Sequence, residues 1–196
     1  MTARRRFTRE ELEAYRDTTV PDLVGDDPLL VFVGINPGLW TAATQTHFAH
    51  PGNRFYPALL RAGVIHRTID PAAGMTAEDR AHLIERGIAI TNIAGRATAR
   101  AAELSRDELR AGARALEQRI AAWRPRVVAV AGVTAYRVGF DRPRAQQGPQ
   151  EELLGGARLW IVPNPSGLNA HETITTLAAA YRRVARAADI DVDPTA

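Results

Sequence analysis

Two short strings, Gly34-Ile35-Asn36-Pro37-Gly38 near the start of the chain and Asn164-Pro165-Ser166-Gly167-Leu168 near its end, carry groups that turn the backbone and form hydrogen bonds. Each follows a run of β-type residues, 29–33 for the first and 159–163 for the second. Ligands of parallel α/β sheets sit at the carboxyl ends of the strands, so two rigid loops placed there predict one shared site. Neither string holds a carboxylate, a cysteine or a lysine. Chemistry built on them must rest on positioning, hydrogen bonding and a good leaving group.

Glycines after a strand often let backbone N–H groups approach an anion, which makes the first string a phosphate-loop candidate. It fails the specific tests. No Gly-Lys-Ser/Thr ending follows, and neither does a three-glycine dinucleotide fingerprint with its acidic residue. Asn36-Pro37-Gly38 taken alone is equally a structural turn, since all three residue types form turns. The continuation, Thr46-His47-Phe48-Ala49-His50-Pro51-Gly52-Asn53-Arg54-Phe55, adds an aromatic to a polar loop. Phe48 at the rim of a site is a platform for a flat ligand, and nucleobases offer such a face.

The elements that must hold these loops read as follows. Thr8 and Glu11 have capping-box spacing for a short helix to about residue 16, and 21–28 reads as a linker onto the first strand. Residues 36–52 read as a long loop, after which Asn53 caps a helix carrying Phe55, Leu59 and Leu60 and closed by Gly63. A helix over 77–86 ends at Gly87, a strand runs 88–93, and an Arg-bearing loop occupies 94–100. Ser105 and Glu108 repeat the capping box and open a helix to about Trp123. Residues 126–132 form a buried strand before a short helix over 134–138, and 141–156 is a polar excursion without an assigned fold. The fourth strand spans 159–163 and the closing helix 172–187. Alternating strands and helices predict a three-layer α/β/α domain around a mainly parallel sheet of four to five strands. The expected layout is an N-terminal helical appendage over 1–24, one domain over 25–190 and a tail over 191–196.

With 196 residues, 45% of them hydrophobic and 24% charged, the chain fits one sizeable core. There are no cysteines, which removes disulfides, thiolate zinc sites and iron–sulfur clusters. No apolar run is long enough to span a bilayer, and the basic N-terminus lacks the apolar stretch of a signal peptide, so the expectation is a cytoplasmic protein without a membrane partner. All 25 basic residues are arginine, which leaves no side-chain amine for a Schiff base. The net charge of +3 is compatible with a polyanionic partner without demanding one. His47, His50 and His171 lack the spacing of a metal-ligand set, and no metal is expected. Trp40 is read as a packing residue.

Gly34-Ile-Asn-Pro-Gly-Leu39, the spacing to Phe48-Ala-His-Pro-Gly-Asn-Arg-Phe55, Thr91-Asn92 with Arg96, and Asn164-Pro-Ser-Gly-Leu168 together resemble the mismatch-specific uracil/thymine-DNA glycosylases. These form the double-strand-specific branch, family 2, of the uracil-DNA glycosylase superfamily. The likeness runs in register from about Leu29 to Ala187. Single-strand-acting relatives carry an Asp in the first loop and thermophile-type branches carry cluster cysteines; this chain has neither.

The resemblance implies a uracil-DNA glycosylase fold and a monofunctional, cofactor-free enzyme acting as a monomer on double-stranded DNA. Such an enzyme flips a damaged nucleotide out of the duplex and hydrolyses its N-glycosidic bond, which costs least at mismatches. It implies that Asn36 holds the attacking water, that amides around Ile35 and Phe48 face the departing base, and that Phe48 stacks on it. Thr41 lines the pocket, and Asn92 binds the base at a position where some relatives have Lys. Gly167 and Leu168, with Asn169 behind them, enter the duplex as a wedge. Relatives with a basic residue two places after the Leu differ from this chain, which reads Leu168-Asn169-Ala170-His171. Ser166 binds a phosphate or caps the following helix. Arg96 and Arg54 contact phosphates, or form a surface salt bridge and a helix-face arginine respectively. Two other readings stand beside uracil excision: a same-fold glycosylase for hypoxanthine, xanthine or exocyclic adducts, and a non-catalytic lesion binder.

Overall fold

Continuous runs of apolar residues form strands buried on both faces, and the computed structural model, which describes residues 7–193, contains four parallel strands, three buried throughout and the fourth interrupted by exposed Arg158 and half-buried Trp160. They are β1 (Leu30–Gly34), β2 (Ile88–Asn92), β3 (Val127–Ala131) and β5 (Ala157–Val162), with β4 (Gly148–Leu154) antiparallel at one edge. The sheet order is β2-β1-β3-β5-β4. The helices are α1 (Arg9–Glu13) before the first strand, α2 (Leu39–Thr44), α3 (Phe55–Arg61), α4 (Ala77–Glu85), α5 (Arg106–Trp123) and α6 (Val133–Gly139) between strands, and α7 (Ile174–Ala187) after the last.

Strand parity divides the core in two. Leu30, Phe32, Ile88 and Ile90 pack on one face with Phe55 and Leu59 of α3 and Leu177 and Tyr181 of α7. Val31, Val33, Ala89 and Val128 face the other way, against Leu109, Leu116 and Ile120 of α5 and Tyr136 of α6. The expected three-layer α/β/α architecture is therefore the observed one, with five strands. Among the described residues no helix is long and apolar enough to cross a membrane.

Four segments differ from the sequence reading. The loop over 36–52 contains α2, which has no side-chain cap at Gly38 and ends where Gln45 turns left-handed. Its stability comes from packing: Leu39 and Ala42 meet Leu12, Tyr15 and Val20 of the N-terminal segment. The unassigned excursion contains β4, joined to β5 by Gly155-Gly156 with φ of 54° and 88°, the left-handed pair that a tight hairpin requires. Pro149 is tolerated there because β4 is an edge strand. The closing helix starts at Ile174, with Thr173 as its cap, and α3 is preceded by Arg54 at the cap position while Asn53 Oδ1 accepts from the Phe55 amide.

The N-terminal segment is also more than an appendage in its described part. Leu23 forms an antiparallel bridge with Ile90 through two backbone hydrogen bonds of 2.9 and 2.8 Å, covering the open edge of β2. Residues 1–6 of that expected appendage and 194–196 of the expected tail lie outside the described residues.

Candidate active site

Parity carries the site as well as the core. Gly34 closes β1 and pairs in register with Asn92, which closes β2, and both fall on the face occupied by α3 and α7. Phe48 arrives at the same place from the loop after α2, in a left-handed conformation with φ of 56°. Its ring stacks on the buried Phe55 at 4.1 Å between centroids and 25° between planes. A Cβ at Gly34 would stand 2.4 Å from Asn92 Oδ1 and 3.4 Å from Phe48 Cζ, so the glycine is required by the approach of these two side chains.

Beyond Gly34 the chain turns, and the Asn36 side-chain nitrogen donates toward three oxygens: Pro37 O at 3.1 Å, Arg96 O at 2.9 Å and Thr98 Oγ1 at 2.7 Å. Backbone carbonyls only accept, so the NH2 end must face them, which leaves Oδ1 as the free end of the amide. Thr98 spends its own proton on Arg100 O at 2.8 Å, leaving its oxygen to receive Asn36. The amides of Ile35 and Phe48 form no hydrogen bond among the described residues. A half-buried acceptor oxygen and two unengaged N–H groups at one rim can orient a water and receive developing negative charge. Thr41 is buried within α2, its carbonyl accepting from the Thr46 amide at 3.1 Å.

Asn92 is held from behind. Arg119 Nη2 donates to its carbonyl at 2.7 Å, and its side-chain nitrogen lies 3.2 Å from His47 Nδ1. His47 is 5% exposed, and its Nε2 lies 3.0 Å from Pro21 O. Burial pushes the His47 pKa below the ordinary histidine value, offset in part by that carbonyl and by Asp22. His47 entered the sequence reading only as a rejected metal ligand; its spacing to Asn92 is long-range, and no local pattern announces the contact. No group of three His, Cys, Asp or Glu side chains is placed to hold a metal among the described residues.

The second loop meets the first directly. Arg54 N donates to Pro165 O at 3.0 Å, and a Cβ at Gly167 would lie 2.5 Å from Gly52 O. Internal hydrogen bonds shape the loop: Ser166 N to Asn164 Oδ1 at 3.0 Å, Asn169 Nδ2 to Asn164 O at 3.1 Å, and Leu168 N to Ser166 Oγ at 3.3 Å. Ser166 thus closes a turn within its own loop and does not cap α7, whose cap is Thr173. Leu168 projects from this frame at 93% exposure, an apolar side chain held out into solvent. A Cβ at Gly132 would lie 3.6 Å from Asn164 Nδ2 and 3.7 Å from Ile35 Cδ1, so one residue of each string comes to the end of β3.

Both arginines expected at phosphates are engaged internally. Arg54 donates to the carbonyls of Ser166 at 2.6 Å and Asn169 at 2.7 Å and to that of Glu172, so its guanidinium ties down the projecting loop. Arg96 pairs with Glu108 at 2.8 Å and Asp17 at 2.7 Å and reaches Glu103 O. This is the salt-bridge alternative, and it fixes the loop whose Arg96 carbonyl and Thr98 hydroxyl orient Asn36. Trp40 packs: its indole N–H donates to Ala72 O at 3.0 Å and its ring meets Phe7 edge-on at 5.0 Å.

The fold is shared with a candidate uracil DNA glycosylase from Methanosarcina acetivorans, solved by solution NMR, at a TM-score of 0.57 and 16% identity over 86% of this chain and 98% of that one. The sequence matches the Uracil DNA glycosylase superfamily over residues 21–185. That match spans both loops, the sheet and nearly all of α7, and the chain belongs to the uracil DNA glycosylase superfamily.

Proposed function

We propose that this chain is a monofunctional, mismatch-specific glycosylase of the double-strand-specific branch. It would flip uracil out of G·U pairs in duplex DNA and hydrolyse its N-glycosidic bond, leaving an abasic site. Ethenocytosine is a related substrate, and thymine is the limiting case because of its added methyl. The observation that carries this reading is the locked amide of Asn36, whose NH2 end is committed to Arg96 O and Thr98 Oγ1 and whose Oδ1 is free.

An amide is too weak a base to take a proton from water, so Asn36 orients the nucleophile while cleavage of the C1′–N bond runs ahead of attack. The sugar passes through an oxocarbenium-like state and the base leaves as an anion. N–H groups aimed at such an anion contribute about 3 to 4 kcal/mol each, and the unengaged amides of Ile35 and Phe48 supply them in this reading. The Phe48 ring, backed by Phe55, stacks on the extruded base for about 1 to 3 kcal/mol. Asn92 meets its polar edge, and Thr41 closes the pocket wall. Leu168 fills the vacated stack, with Ser166, Gly167 and Asn169 shaping the loop that carries it.

The test is base release from oligonucleotides carrying uracil in G·U, A·U and single-stranded contexts, with hypoxanthine and ethenocytosine duplexes alongside. Preferential release from G·U is expected. Release confined to hypoxanthine would move the substrate to deaminated purines, and binding without release would remove the catalytic assignment.

A further inference from the structure

Resting on the glycosylase reading, we propose that His47 is a positioning residue that sets which end of the Asn92 amide faces the base pocket, and so selects bases presenting a ring N–H over bases presenting a ring lone pair. The chain of constraint begins outside the pocket. Pro21 O can only accept, so His47 Nε2, 3.0 Å away, must carry the proton. In a neutral imidazole Nδ1 is then a bare lone pair. Asn92 lies 3.2 Å from it and must offer its NH2 end, because the carbonyl end would set lone pair against lone pair.

Asn92 Oδ1 is thereby turned the other way, into the space that Gly34 leaves open beside Phe48. The rest of Asn92 has little freedom to compensate. Its backbone is fixed by the register with Gly34 and by the Arg119 hydrogen bond, and Pro21 is anchored through the two bonds between Leu23 and Ile90. Asn92 is 8% exposed, so few solvent partners compete with His47 for the amide.

An acceptor in that position complements the ring N–H of uracil or hypoxanthine and opposes the unprotonated ring nitrogen of cytosine. Protonation of His47 would reverse the arrangement, since a donor at Nδ1 demands the Asn92 carbonyl and turns the NH2 end toward the base. Asp22 favours that protonation, while burial and Arg80 oppose it. The neutral form is therefore the working form, and the switch lies on the acid side of the ordinary histidine range.

The experiment compares His47→Leu, which removes the acceptor, with His47→Gln, whose amide oxygen restores one, in release of uracil from G·U and cytosine from G·C duplexes. His47→Leu should lower the uracil-to-cytosine selectivity by about ten- to a hundredfold, the scale of one misoriented buried hydrogen bond, and His47→Gln should recover most of it. In an Asn92→Ala background the His47→Leu change should have no further effect on selectivity. The wild-type acid limb of uracil release should vanish in His47→Gln. Unchanged selectivity in His47→Leu, or an equal loss without Asn92, overturns the proposal. If the wild-type protein releases no base, the glycosylase reading fails, and nitrogen NMR of the imidazole decides the His47 question independently. An Nε2–H tautomer, with Asn92 amide resonances that shift in His47→Leu, supports the lock, and a protonated Nδ1 overturns it.

Discussion

The Asn36 side chain donates to the Thr98 hydroxyl at 2.7 Å, joining the turn after β1 to the loop after β2 and leaving Oδ1 as the free end of the amide. Removing the amide and loosening its orientation are separable. Asn36→Ala should reduce uracil release at least about a hundredfold while duplex affinity stays within a few-fold, as for a group that positions the nucleophile. Thr98→Val keeps the buried volume and removes one acceptor, so kcat should fall about tenfold with KM unchanged. Single-turnover release beside duplex titration reads both effects, and unchanged turnover in Asn36→Ala would remove it from the mechanism.

Arg54 makes the opposite prediction from a phosphate contact. Each neutralised phosphate adds about 0.9 to the slope of log affinity against log salt. Because the guanidinium is bound to the carbonyls of Ser166, Asn169 and Glu172, Arg54→Met should weaken duplex binding and lower Tm by several degrees while leaving that slope unchanged. A slope reduced by about one, with Tm intact, would return Arg54 to the DNA backbone.

What the sequence disclosed and what it hid follow from the range of the forces involved. The strands were legible because burial on both faces demands unbroken apolar runs such as 29–33 and 127–131, and the capping boxes at Thr8 and Ser105 are local and appear as drawn. α2 was hidden because its helicity depends on Leu12, Tyr15 and Val20 far upstream, which local propensity does not register. β4 was hidden by Pro149 and its polar alternation, both permitted only by an edge position. At the site, residue type marked out the two strings and Phe48, while the roles expected of Asn36 and Leu168 came from the family resemblance. The engagement of Arg54 and Arg96 was not legible, because an arginine carries no local mark of whether its partner is a carbonyl, a carboxylate or a phosphate.

Leu168 at 93% exposure contributes nothing to the folded core, so its removal isolates its role on DNA. Leu168→Ala should leave unfolding free energy within about 0.5 kcal/mol of wild type, as for surface substitutions generally. Release of uracil from G·U duplex should fall about tenfold or more, because the wedge offsets an unstacking cost of a few kcal/mol, while release from single-stranded DNA should be unaffected. Equal losses on the two substrates would mean that Leu168 acts on the pocket rather than on the stack.

The absence of lysine has a chemical consequence at the product. Bifunctional glycosylases nick the strand through an imine formed with an amine of the protein, and here no side-chain amine exists. Incubation of a G·U duplex with pure protein should give an intact abasic site that breaks only after heat or alkali. Strand scission without such treatment, trapped covalently by borohydride, would require an amine nucleophile at the N-terminus.

Acid should act on the scaffold through Glu108. The Arg96 hydrogen bond, with help from Ser105, holds its carboxyl at about 2, against 4.5 for the free group. A folded-state pKa below the unfolded one means that the pair stabilises the fold above about 4.5 and that this contribution is lost as pH falls toward 2. The site is exposed enough that solvent screening keeps the effect small, so the direct readout is the carboxyl titration rather than Tm. Carbon NMR of the Glu108 side chain should give a midpoint near 2 in the wild-type protein and a clearly higher one in Arg96→Ala, still below the free value of 4.5 because the Ser105 hydrogen bonds remain. The same variant should lose turnover, because the Arg96 loop supplies two of the three oxygens that fix Asn36, yet keep its salt slope on duplex DNA. An ordinary Glu108 midpoint in the wild-type protein, or a slope reduced in Arg96→Ala, would assign Arg96 to phosphate after all.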